Sequence, residues 1–75
     1  MAYHYILYTA PALGLHDKRA VLQKVDLERI IEEGKNYYGI TTSIWTDHNF
    51  VFVSAIQDLT AFFEERHVSF FLPDS

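Results

Sequence analysis

Two runs of β-branched and aromatic residues, Ile40 to Thr46 (ITTSIWT) and Phe50 to Ala55 (FVFVSA), stand on either side of Asp47-His48-Asn49. A short turn of Asp, His and Asn between two such runs reads as an antiparallel hairpin. The hairpin fixes the middle of the chain, and whatever flanks it must pack on its faces. Upstream, Tyr3 to Thr9 (YHYILYT) is free of breakers and reads as a strand, followed by a loop at Ala10-Pro11-Ala12-Leu13-Gly14. Downstream, Ser54 and Gln57 stand at capping-box spacing, and Ile56, Leu59, Phe62 and Phe63 follow on one helical face. That helix is expected to end near His67, and Val68 to Leu72 is a last strand stopped by Pro73.

The stretch from Asp17 to Gly39 favours helix throughout, but its apolar phase does not hold. Leu27, Ile30, Ile31, Gly34, Tyr37 and Tyr38 share one face, with Glu28, Arg29, Glu32 and Glu33 opposite. Extended backwards, Val21, Leu22 and Val25 fall on the charged side. A break near Val25-Asp26 repairs the phase, with Asp26 as cap and a helix from about Asp26 to Tyr38. Asp17 to Val25 is then either a separate short helix or a strand. A third possibility is one unbroken helix whose Val21, Leu22 and Val25 form an exposed patch for a partner.

The expected order is strand, broken helix, strand, strand, helix, strand. This is an α+β, two-layer split βαβ (ferredoxin-like) sandwich in βαββαβ order, with the first helix broken near residue 25. The alternative is a five-stranded sheet with residues 18–25 as an extra strand. At 75 residues the chain is read as a single small globular domain spanning 1–75.

Strand alternation splits each strand between a helix side and an open side. Val51, Val53 and Ala55 suit the core and send Phe50 and Phe52 outward. Ile40, Thr42 and Ile44 are expected inward, with Thr41, Ser43 and Trp45 outward. Val68, Phe70 and Leu72 are expected inward, and Ser69 and Phe71 outward. The first strand leaves Tyr3, Tyr5 and Leu7 competing with His4, Ile6 and Tyr8. With one Trp, five Tyr and six Phe, a one-sided core does not hide every ring. Trp45, Phe50, Phe52, Phe71 and Tyr5 are therefore the expected interaction surface, unless the segment Asp17 to Val25 folds over it. Val21, Leu22 and Val25 are a secondary candidate patch.

His48-Asn49-Phe50-Val51-Phe52-Val53 resembles the longer ribonucleoprotein motif of RNA recognition motif domains. In that family the rings at the places of Phe50 and Phe52 stack on unpaired bases, joined by an aromatic of the first strand, for which Tyr5 is the candidate. The family's leading basic residue is His48 here, its glycine Asn49, its small residue Val51 and its closing aromatic Ala55. The resemblance implies single-stranded nucleic-acid binding. The charge argues the other way, since ten acidic and six basic side chains give −4 and Lys18-Arg19 is the only adjacent basic pair.

No catalytic motif is present. Glu32-Glu33 and Glu64-Glu65 read as solvated helix faces, and His4 is the one acid-base candidate, more simply a packed, hydrogen-bonded strand histidine. The histidines lack zinc-site spacing, and the chain has no cysteine. No cofactor or metal is expected. The absence of cysteine suits a reducing compartment, and no signal peptide or membrane span is read, so the expected location is the cytoplasm. The reading is a non-enzymatic protein-protein interaction module, regulatory or inhibitory, that uses an aromatic open sheet face. Its expected partner is a second copy or another protein.

Overall fold

The computed structural model of the chain describes residues 1–9 and 22–73. Strand β1 (Tyr3–Tyr8) is followed by helix α1 (Lys24–Tyr37), strands β2 (Ile40–Trp45) and β3 (Phe50–Ala55), helix α2 (Thr60–Glu65) and strand β4 (Ser69–Phe71). The strands form one open four-stranded sheet in the order β2-β3-β1-β4, antiparallel at every junction. The fold is thus a small α+β arrangement of one antiparallel sheet and two helices. The hairpin turn closes as its composition predicts. Asp47 Oδ1 accepts from the N–H groups of Asn49 (2.7 Å) and Phe50 (3.1 Å), and Thr46 N–H donates to Phe50 O.

α1 begins slightly before the expected Asp26. The Asp26 carboxylate accepts from the Gln23 N–H at 3.0 Å and places negative charge in the first helical turn. Lys24 and Val25 are helical, which leaves the extra strand over residues 18–25 without its last two members; residues 18–21 lie outside the described residues. Gly39, at φ 84°, makes the left-handed turn from α1 into β2 that a side chain would strain.

Both helices bury their apolar faces on the same side of the sheet. Leu27 and Ile31 of α1, with Phe62 and Phe63 of α2, join Leu7, Val51, Val53 and Ala55 in a single core. Tyr5 lies at its centre, 1% exposed, with its ring edge-on to Phe63 at 5.1 Å and to Phe70 at 5.8 Å. Its hydroxyl accepts from the Leu59 N–H at 2.7 Å and donates to Asp58 Oδ1 at 3.2 Å, and that oxygen also accepts from the Thr60 N–H at 2.9 Å. The start of α2 is therefore held by Asp58 and Tyr5, not by the expected Ser54 and Gln57. Ser54 belongs to β3, and Gln57 Nε2 donates to Tyr38 O. Burial raises the Tyr5 phenol above its ordinary pKa, and the Thr60 N–H lowers that of Asp58.

α2 ends in a Schellman motif. The His67 N–H bonds Glu64 O and the Val68 N–H bonds Phe63 O, while His67 sits at φ 59°, the position that glycine usually fills. Phe63 and Val68 are both buried, the apolar pair that accompanies this cap. Arg66 ties α2 to α1 through paired hydrogen bonds to Glu33 Oε1 (3.0 Å) and Oε2 (3.3 Å) while lying over the Phe62 ring.

Two substitutions test this frame. Tyr5→Phe leaves the buried Leu59 N–H without an acceptor and is expected to cost about 1–3 kcal/mol in urea unfolding; an unchanged midpoint would remove Tyr5 from the helix cap. His67→Gly relieves the left-handed side-chain penalty, less the entropy of glycine, and should raise stability by about 0.5–1 kcal/mol. A fall in Tm would mean that the imidazole makes a contact worth more than the strain.

Candidate interaction face

Thr41 is the residue that decides which side chains face outward. Ile40 pairs with Ala55 and Thr42 with Ser54, so Thr41 is an extra residue, a β-bulge in β2. Beyond it the alternation is reversed relative to a regular strand. Ser43 lies opposite Val53 and Trp45 opposite Val51, both core residues, while Thr42 and Ile44 turn to the open face. Trp45 is consequently half-buried beneath α1, with Lys24 Nζ 4.9 Å from its ring centroid. The expectation that Trp45 points outward and Ile44 inward is corrected by this single inserted residue. Tyr5 is corrected too: it belongs to the core.

The open face has an ordered composition. The register places Ile44 beside Phe52, Phe52 beside Ile6 and Ile6 beside Phe71, one apolar row that crosses all four strands. Its ends are the most exposed, Ile44 at 61% and Phe71 at 46%, and Phe52 and Ile6 between them are half-buried. On one flank Tyr8 lies between Phe50 (ring centroids 6.3 Å) and Phe71 (5.8 Å). On the other, His4 stacks on Phe52 at 5.5 Å and places Nδ1 2.8 Å from Ser54 Oγ, with Thr42 beyond. Among the described residues of this face there is no Asp, Glu, Lys or Arg.

Of the residues expected at the interaction surface, Phe50, Phe52 and Phe71 come together on this face. Ile6, Ile44, Tyr8 and His4 join them without having been singled out for it. In the secondary patch, Val21 lies outside the described residues, Leu22 packs against the core and Val25 is 53% exposed at the start of α1. Leu72, expected inward, is exposed beyond the end of β4. Of the acidic pairs, Glu33 and Glu65 both lie beside the Arg66 guanidinium, at 3.0 and 3.9 Å, and Glu32 lines a separate recess with Glu28, Lys35, Ser43 and Trp45. Among the described residues no three His, Asp or Glu side chains are placed to hold a metal ion, and no helix is long and apolar enough to cross a membrane.

Comparison with known proteins finds no matching family model, no matching curated protein and no matching solved structure.

Because the chain has one tryptophan, its emission reports which side of the sheet Trp45 occupies. Lys24→Ala is expected to shift that emission and Phe52→Ala to leave it unchanged. The reverse pattern would return Trp45 to the open face.

Proposed function

We propose that this chain is a non-enzymatic protein-interaction module, built as a split βαβ, ferredoxin-like sandwich, that associates with a second copy through its open sheet face. The element order, the strand order β2-β3-β1-β4 and the single core shared by both helices support the sandwich reading. The cysteine-free composition supports a cytoplasmic setting.

The observation that carries the functional reading is the row Ile44-Phe52-Ile6-Phe71. Apolar side chains on four adjacent strands form a continuous strip, and burying such a strip contributes about 25 cal/mol per Å² removed from water. A second copy suits it because the described residues of the face include no Asp, Glu, Lys or Arg. Two identical faces meet without setting like charges together, whereas Glu28, Arg29, Glu32, Glu64 and Glu65 remain exposed on the helices. A nucleic-acid ligand is less well served. The described residues of the face offer no Lys or Arg to a phosphate backbone, and Tyr5, the first-strand ring in the resemblance to RNA recognition motifs, lies in the core.

Sedimentation equilibrium tests the proposal. Wild type is expected above monomer mass at micromolar concentration. Phe52→Gln and Phe71→Gln are each expected to weaken association by roughly tenfold, about 1.4 kcal/mol, with unchanged far-ultraviolet circular dichroism. A wild-type chain that stays monomeric throughout, or associates equally well with both substitutions present, would overturn the reading.

A further inference from the structure

The two edges of the sheet are protected very differently. β4 is three residues long and is followed by Leu72 and Pro73, so the ladder along that side of β1 is short and meets a residue without an N–H. β2, the opposite edge, runs for six residues, and from Ile40 to Thr46 it contains no Pro, Lys, Arg, Asp or Glu. Its one irregularity, the bulge at Thr41, lies near its start and leaves Thr42 to Trp45 regular.

The backbone directions along this edge follow from the register. Thr46 N–H donates to Phe50 O at 3.0 Å, and Ile44 and Thr42 continue the same pairing with Phe52 and Ser54. Hydrogen bonding alternates along an antiparallel strand. Ser43 and Trp45 therefore turn their N–H and C=O groups away from β3, toward the outer side.

We propose that this edge pairs with the β2 edge of a second copy, antiparallel about a two-fold axis at Ile44. In that register Ser43 and Trp45 exchange hydrogen bonds with Trp45 and Ser43 of the second copy. Ile44 then faces Ile44 across the non-hydrogen-bonded site, where side chains approach most closely. A second copy is the occupant because the pairing is self-complementary, buries the most exposed member of the apolar row on its own counterpart, and brings no charged side chain of either strand into the contact. This is a surface additional to the sheet face and does not require it.

The experiment uses the full chain carrying Ile44→Cys, since the native sequence has no competing thiol. Cα atoms at a non-hydrogen-bonded site are about 4.5 Å apart, within the disulfide range of about 4.4–6.8 Å. Oxidation is expected to give a covalent dimer, at least roughly tenfold faster than in an Ile56→Cys control, because pairing raises the effective thiol concentration. The crosslink should persist when Phe52→Gln and Phe71→Gln are added, which disable the face. Adding Ser43→Pro should abolish it, since proline removes the outward N–H of Ser43 and no ladder bond to β3 uses that group. Equal rates for Ile44→Cys and Ile56→Cys would overturn edge pairing and leave the sheet-face reading standing. A crosslink that survives Ser43→Pro in a chain with native circular dichroism, or disappears with the face substitutions alone, would assign the thiol contact to the face and equally overturn edge pairing.

Discussion

One inserted residue in β2 sets which side chains the rest of the molecule must accommodate. With Thr41 unmatched across the ladder, Ile40 still meets Ala55 in the core, yet Ser43 and Trp45 follow it inward and Ile44 turns out. Without the bulge, Thr42 and Ile44 would sit under α1 and Trp45 would stand on the open face. The indole instead fills the space between β2 and α1, where Lys24 covers it, and the outer end of the apolar row becomes an aliphatic side chain. The aromatic excess of the chain is thereby divided between two layers.

The helix layer depends on a second junction. α2 is short, six residues, and a helix of that length has little stability of its own. It is held at its start by the Tyr5 hydroxyl and Asp58, at its end by the Schellman turn through His67, and along one side by Arg66 reaching Glu33 on α1. Tyr5 contributes both a ring in the aromatic core and the acceptor for a buried N–H. That dual use explains why, of the alternating sets in β1, the one containing Tyr5 and Leu7 faces the helices.

Much of this arrangement was legible in the sequence. The hairpin, the amphipathic part of α1 and the order of elements follow from local composition, because turn chemistry and apolar period are local properties. Phe50, Phe52 and Phe71 could be assigned to one face because Val51, Val53 and Val68 leave little choice of phase. What escaped was non-local. A bulge has no reliable mark in a run such as ITTSIWT, where a threonine fits paired or unpaired. The phase of β1 was undecided because both of its faces are apolar, and the decision rests on Leu59, an N–H more than fifty residues away in sequence. The start of α2 was placed too early because Ser54 and Gln57 have capping spacing, while the ladder with β1 keeps Ser54 in strand β3.

Chain size connects these features to association. A domain this small buries only about 60% of the surface that its unfolded chain exposes. Its helices have already covered one side of the sheet, so further burial among the described residues is available only on the open side and along the edges. Among the described residues the open side has no Asp, Glu, Lys or Arg and carries an apolar row; one edge is short and leads to proline, and the other, Ile40 to Thr46, is long and has no charged side chain of its own. Among the described residues, the Asp, Glu, Lys and Arg side chains other than Asp47 and Asp58 lie on or at the ends of the helices, on the side of the sheet opposite the open face. The balance between burial and repulsion therefore favours contact through the sheet over contact through the helices, and the position of Ile44, on the open face and on the long edge at once, makes it the residue where the two available surfaces meet.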